Sequence, residues 1–567
     1  MQVRQMKKWI TPFEKSGGQE TASYDEALDY FARLAKSSRH AKMSPFGVSP
    51  QGRTLYNLVV ARGRGKTPAQ AHRSGKAVVM IQNAIHGGEM EGKDAWMLLL
   101  REILITRELE HLLDHLVLVL VPVFNVDGHE RMSRTNRPNQ NGPIRMGWRT
   151  TSHNLDLNRD YMKADAPEMK ALLELYHHWL PDFYIDNHST DGADYQYHVL
   201  YCLETHQNLH SILSGWLESE FIPAVTEDLE EEGFLTAPYN EANDINTGVV
   251  NSPAPARLST GYSAVQNRIC LLVEAHSLKP FENRVLSTRA MNVAALEFIN
   301  EHCEELKDRN RFADEDTVRE YFEEKEPFPI TVTLKSEPQM MPFKGIQFYE
   351  EESSITGNSV TRYTGEPVDL EIPLYNSSEI TGTIIVPEAY AIPHEFSFIV
   401  EHLTMHGVHV EMLEYCQSWY TERYRFKNVT FASWPYESRL RPNFELESFE
   451  MKMELQPGTW IVPCAQRTLR AIVHLLEPDG ADSMVRWGFL NAIFERKEYA
   501  EAYIMEPIAQ KMLKEDSALR NEFNRRLKNE GFRNNPKERL DFFYQRSVYF
   551  DRTEKVYPIA RLMGGPL

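Results

Sequence analysis

His86 and Glu89 stand three residues apart around two glycines, in Ala84-Ile-His-Gly-Gly-Glu89. The glycines leave the segment loose enough for the imidazole and the carboxylate to turn toward one point. A catalytic zinc takes these ligand types, three from the protein, and keeps a fourth position for water. The spacing is common, and a surface ion pair explains it more often than a metal does. Other segments change the balance. Asp182-Phe-Tyr-Ile-Asp-Asn-His188-Ser189 places a histidine where an apolar run ends, and Leu271-Leu-Val-Glu274 ends a second run in a lone carboxylate. A carboxylate in that position must be paired or functional if it is buried. Between them, Trp148-Arg149 and Asp156-Leu-Asn158-Arg159 add two arginines and a further acid.

Positioning such residues requires a scaffold, and the hydropathy pattern describes one. Tyr24 to Ser37 carries Leu28, Phe31 and Leu34 at helical spacing. Thr54 to Ala61, Ala77 to Ile81, Phe183 to Asp186 and Ile269 to Val273 read as strands, and Leu116 to Val121 as a central strand buried on both faces. Helices are expected over Glu91 to Arg107, Pro167 to Leu180, His206 to Glu232 and Ser287 to about Asp308. Strands alternating with helices predict an α/β fold, a mixed sheet between helical layers. The histidine that ends Phe183 to Asp186 then sits where open α/β sheets place ligands.

The composition excludes several classes. A chain of 567 residues is too long for one core. The division expected is a catalytic domain over 1–310, a charged linker over 311–329 with a short helix inside it, a β-rich accessory domain over 330–462 and a helical C-terminal region over 463–567. Runs such as ITVTL and GTIIVP mark the β-rich part, and RTLRAIVHLL, MVRWGFLNAIF and IAQKMLKEDSALRNEFNRRLK the helical one. A net charge of −19 leaves no basic surplus for nucleic acid. Val117 to Phe124 is far shorter than a membrane span and contains Pro122. The N-terminal stretch MQVRQMKKWITPFEK has no apolar leader core, which points to the cytoplasm, or to a secreted or periplasmic protein whose leader has been removed. Five scattered cysteines form no CxxC pair and read as inert thiols in a reducing compartment. The residues do not speak to oligomeric state.

Taken in order, the motifs resemble the zinc carboxypeptidase family of metallopeptidases. They are HxxE (His86, Glu89), an NxDG turn (Asn125 to Gly128), Arg149, DxNR (Asp156 to Arg159), His188 and Glu274. The resemblance covers about residues 20 to 310. It implies a zinc ion on His86, Glu89 and His188, with a water activated on the metal. It implies that Asp156 fixes the tautomer of His86, that Glu274 takes the water's proton and passes it to the leaving amine, and that Arg149 stabilises the oxyanion. Arg159, helped by Asn158 and with Arg149 nearby, would grip a substrate carboxylate. The implied substrate is a peptide with a free C-terminal carboxylate.

There are departures and competing readings. Val126 stands where the family's turn often has proline. The digestive enzymes carry a tyrosine on a closing loop upstream of the glutamate; here that stretch has only Tyr262, close to Glu274, which reads as structural. Arg257 lies where such enzymes set side-chain preference, and a solvated loop arginine is the plainer reading. Arg137 and Arg145 compete with Arg149 for its role. His402 and His406 are four apart but lack the adjacent glutamate of HExxH, and Gly63-Arg-Gly65-Lys66-Thr67 falls short of a phosphate loop. The alternatives in function are a zinc amidase or deacylase acting on an N-acyl amino acid or cell-wall peptide, and a non-catalytic binding protein on the same scaffold.

Overall fold

A computed structural model describes residues 7–239 and 247–566. Met1 to Met6, the start of the N-terminal stretch discussed above, lie outside the described residues.

The apolar runs of the first half assemble into one sheet. Its strands are β1 (Ala41–Val48), β2 (Thr54–Ala61), β3 (Ala77–Asn83), β4 (Leu116–Val121), β5 (Phe183–Ser189), β6 (Val199–Cys202), β7 (Thr236–Pro238) and, set apart, β9 (Ile269–Ala275) after the short β8 (Val249–Val250). The spatial order is β1-β2-β4-β3-β5-β9-β6-β7. The four central strands β4, β3, β5 and β9 are parallel, and the flanking β1, β2 and β6 run antiparallel to their inner neighbours. Every residue of β3, β4, β5 and β9 is buried. Helices cover both faces, which is why these strands read as continuous apolar runs rather than as alternating ones. β1 has no such signature: Pro45 and Gly47 interrupt it, and its register shifts between them.

The helices meet most expectations. Tyr24–Ser37 starts on a capping box, with Ser23 accepting from the Glu26 N–H and Glu26 reaching back to the Ser23 N–H. The helix expected over Glu91 to Arg107 is α-helical to Arg101, and a π-helical turn carries it to Thr106. The helix expected over Ser287 to about Asp308 is two helices, Phe281–Glu301 and Cys303–Val318, separated at His302. The charged stretch after Arg309 therefore continues a helix, and a π-helical turn extends it to Glu323. Leu306, Asn310, Ala313 and Thr317 turn one narrow face of that helix inward. The many charges on its other faces hid the helical period.

The second half holds the long hairpin β11 (Gln339–Glu352) with β12 (Ser359–Tyr375), preceded by β10 (Phe328–Leu334) and followed by its partner β13 (Ser378–Ile384). A six-stranded sheet follows, built from β14 (Ala389–Ile392), β15 (Glu411–Met412), the hairpin β16 (Gln417–Phe431) with β17 (Pro442–Leu455), β18 (Trp460–Pro463) and β19 (Ala560–Met563). β19 comes from the C-terminal region and sits between β14 and β16. Met484 to Phe494, expected to be helical, consists of turns ending in a 3-10 helix, Asn491–Phe494. Gly488 adopts φ 76° within it, a conformation no α-helix accommodates. One apolar cluster joins the halves, with Val119 and Tyr184 from the first packed in continuity with Ile392, Val462 and Ile472 from the second. β8 also pairs in parallel with the end of β12.

Candidate metal centre and active site

Because β3, β5 and β9 are parallel neighbours, their C-terminal ends open on one edge of the sheet. Asn83 lies opposite Asn187, and His188 opposite Glu274. Leaving β3, the chain turns through Ala84 at φ 55° and enters His86-Gly-Gly-Glu89. The glycines are demanded by close approach. A Cβ on Gly87 would run into the backbone of Gly128 and His129, and one on Gly88 would stand 2.8 Å from Arg137 Cγ. The NxDG turn is what Gly87 packs on. Asn125 Oδ1 accepts from the Gly128 N–H at 2.9 Å, and Asn125 Nδ2 donates to the Arg149 carbonyl at 3.0 Å. Asp127 gathers Ser49, the Gln51 N–H, Arg53 and Ser152 at 2.7–3.1 Å. The motif thus ties His86 and Arg149 to one turn.

His86, Glu89 and His188 converge, with one ligand atom of each within 4.8 Å of the others. His86 Nδ1 lies 3.0 Å from Glu89 Oε1, and His188 Nδ1 lies 3.2 Å from Glu89 Oε2. The far ring nitrogens are also held: His86 Nε2 lies 3.1 Å from Asp156 Oδ1, and His188 Nε2 lies 2.8 Å from Asp186 Oδ2. Each Nε2 thus faces an aspartate, the contact that would fix the tautomer with its Nδ1 lone pair directed at a cation bound between the three residues. All three residues are buried. Burial would lower the pKa of His188, yet Asp186 and Glu89 hold it well above the usual value. Burial would raise Glu89, yet His86 and Arg137 hold it well below. The pocket favours positive charge, and a divalent cation answers that demand with the donor types present.

Glu274 is buried beside His188, and its Oε2 has no hydrogen-bond partner among the described residues. Burial pushes its pKa up to about 8; His188 pulls the other way, and Glu89 and Asp186 add to the rise. Asp156 bridges His86 and the arginine: its Oδ2 accepts from Arg149 Nε at 3.1 Å and from Nη2 at 2.9 Å. Burial would raise Asp156, but His86 and Arg149 keep it strongly depressed. Arg149 Nη1 stands 3.9 Å from Glu89 Oε1. Asn158 Oδ1 accepts from the Ser259 N–H at 3.0 Å, which ties the DxNR turn to the segment before β9. Arg159 is half-buried and donates from Nη1 to the Asn158 carbonyl at 2.8 Å. It makes no other hydrogen bond among the described residues, so its fork is open.

Residues 27–214 match the sequence profile of the zinc carboxypeptidase family. That stretch is similar to a zinc carboxypeptidase domain. The matched stretch contains His86, Glu89, Arg149, Asp156, Asn158, Arg159 and His188, and stops short of Glu274. The chain is 22% identical over 494 residues to carboxypeptidase 2 of Trichophyton rubrum, an alignment covering 84% of this chain and 85% of that one. A metallo-carboxypeptidase from Burkholderia cenocepacia superposes with a TM-score of 0.38 at 17% identity, over 50% of this chain and 70% of that one. Carboxypeptidase A from Helicoverpa armigera gives a TM-score of 0.38 at 17% identity, over 50% and 74%.

Two residues around the candidate site, Asp186 and Glu437, were not singled out from the sequence, and Arg137 was considered there only as a substitute for Arg149. Asp186 is two residues before His188 on the same strand and so on the same face, a pattern that was available. Arg137 fills the space left open by Gly88 and donates from Nη2 to Glu89 Oε1 at 2.6 Å. Glu437 arrives from the second half and accepts from the Asp156 N–H at 3.0 Å, which no local pattern announces. Tyr262 is fully buried, with its Oη 2.8 Å from His177 Nε2 and 3.1 Å from His406 Nδ1, away from the site. Arg257 is paired with Asp482 at 2.9 Å rather than solvated. Among the described residues no helix is long and apolar enough to cross a membrane.

Proposed function

We propose that this chain is a zinc-dependent metallocarboxypeptidase that hydrolyses the C-terminal peptide bond of peptides. The observation carrying the reading is the convergence of His86, Glu89 and His188, each imidazole held by its own carboxylate, next to a buried and unpartnered Glu274. Zinc held by the three ligands would supply a Lewis acid and an activated water at neutral pH. Glu274 holds the proton at Oε2 and returns it to the leaving nitrogen; a bound cation beside it lowers its pKa from the raised value toward that of a working base. Asp156 and Asp186 keep both imidazoles oriented. Arg149, anchored by Asp156, presents its remaining N–H groups to the developing oxyanion. Arg159, with its fork open, takes the substrate's terminal carboxylate in bidentate fashion, and Asn158 sets the turn that aims it. Cys270, Cys303 and Cys464 are buried, in keeping with thiols of a reducing compartment such as the cytoplasm; a secreted or periplasmic location after removal of a leader is the alternative.

The test incubates zinc-loaded protein with peptides bearing free or amidated C-termini and with N-acyl amino acids, and repeats the assay with Glu274→Gln. Release of the last residue from free-ended peptides only, lost in the variant, is the expected result. Turnover of the acyl amino acids alone would replace the reading with an amidase. Zinc binding without turnover of either class would leave a binding protein.

A further inference from the structure

The loop joining β16 to β17, Ala432 to Arg441, reaches from the second half of the chain into the carboxypeptidase site. Glu437 Oε2 accepts the N–H of Asp156, the residue that opens the turn carrying Asn158 and Arg159. Glu437 and Ser438 both take left-handed backbone conformations, φ 49° and 65°. For non-glycine residues this costs on the order of 1–2 kcal/mol each, so the surroundings must impose it. They do. Arg439 Nε donates to Asp165 at 3.0 Å, and its guanidinium sits 3.8 Å from the centre of the Phe489 ring. Tyr436 stacks on Trp487 with an interplanar angle of 12°. Arg441 Nε donates to the Arg486 carbonyl at 3.2 Å.

The braced loop delivers a half-buried carboxylate whose Oε1 makes no hydrogen bond among the described residues. Burial and the Asp156 charge push Glu437 up, while Lys163 and Arg159 pull it down. Lys163 is buried and already paired with Asp160 and Asp165. Arg159 is the cation with an open fork. A substrate whose carboxylate sits on Arg159 therefore places its last side chain in the field of Glu437. A neutral side chain there would crowd a carboxylate without compensating it, and a cationic one would pair with it. Arg257, the residue that would favour an acidic side chain, is neutralised by Asp482.

We propose that Glu437 is a specificity-determining residue that selects a cationic side chain, lysine or arginine, at the substrate's C-terminal position. The proposal rests on the carboxypeptidase reading above. The test measures kcat/KM of the zinc-loaded full chain on matched peptides ending in Lys, Arg, Leu and Glu, for the unsubstituted protein and for Glu437→Gln. Glutamine keeps an acceptor for the Asp156 N–H and removes only the charge. We expect a preference for Lys and Arg that falls by about 10- to 100-fold in the variant, with hydrolysis of the Leu peptide changed by less than about threefold. A uniform loss on all four peptides, or an unchanged ratio, overturns the proposal and leaves the carboxypeptidase reading intact. Hydrolysis of none by the unsubstituted protein overturns both. Product inhibition needs no variant: free lysine is expected to inhibit at lower concentration than norleucine, and equal inhibition also counts against Glu437.

Discussion

Two pairs of histidines in this protein look alike in outline and behave in opposite ways. His86 and His188 lie with ring centres 4.9 Å apart, and His402 and His406 with theirs 5.1 Å apart. All four are buried. Around the first pair stand Glu89, Asp156 and Asp186, each within hydrogen-bond reach of a ring nitrogen. Around the second pair the partners are neutral: His402 Nε2 donates to the Met162 carbonyl at 2.7 Å, and His406 Nδ1 meets the Tyr262 hydroxyl at 3.1 Å. Burial accordingly wins at the second pair, pushing His402 down to about 4 and His406 well below the usual value. At His188 the carboxylates win. The company of a histidine, rather than its spacing from another, makes a cation site.

The comparison breaks or holds on substitution. His188→Ala should abolish zinc retention and lower kcat/KM by at least about a thousandfold, since a ligand of the Lewis acid is gone. His402→Ala should keep one zinc per chain, as read by elemental analysis of the purified protein. Loss of metal from the second variant would dissolve the distinction. The same His402→Ala change should cost about 3 kcal/mol of stability in urea unfolding, because it leaves a cavity and strips the Met162 carbonyl of its donor.

Acid gives a matching difference in sign. His402 has its pKa depressed from 6.5 to about 4, so the unfolded chain binds the proton first. Its contribution is intact above pH 6.5 and is lost as pH falls toward 4, about 3 kcal/mol in all. His188 is shifted upward, so in metal-free protein its contribution is full below 6.5 and is lost as pH rises through the raised value. Denaturation midpoints measured between pH 4 and 7 should decline on the acid side, and less steeply in His402→Gln. An unchanged slope would mean His402 is not held neutral. The smallest effect is expected from Asp186→Asn, which keeps the shape and weakens the hold on the His188 tautomer. Zinc affinity should fall about 10- to 100-fold by competition with a chelator, and the matching change at Met162 is impossible because its partner is a backbone carbonyl.

Local pattern carried much of the sheet and the residues of the candidate ligand set. β4 is a run of six aliphatic residues that only a strand covered on both faces accommodates. His86, Glu89 and His188 lie at or just beyond the ends of β3 and β5, and the parallel pairing of those strands, which the sequence did not specify, brings them together. β1 was invisible because proline and glycine break its alternation, and the helix through residues 303–318 because a single narrow apolar face among charges has little period. Pairing across the chain was beyond reach for a different reason. Glu437 meets Asp156 over 281 residues, and Arg257 meets Asp482 over 225.

The sequence by itself determined the candidate residues for the chemistry and the strand ends that carry them, since strand period and ligand type are both local properties. Only the tertiary structure decided their partners: that Asp186 holds His188, that Arg137 occupies the space Gly88 leaves, and that a loop from the second half sets a carboxylate on the Asp156 N–H. Those choices depend on packing between segments far apart in the chain, where side-chain identity constrains nothing until the backbone has brought the segments together.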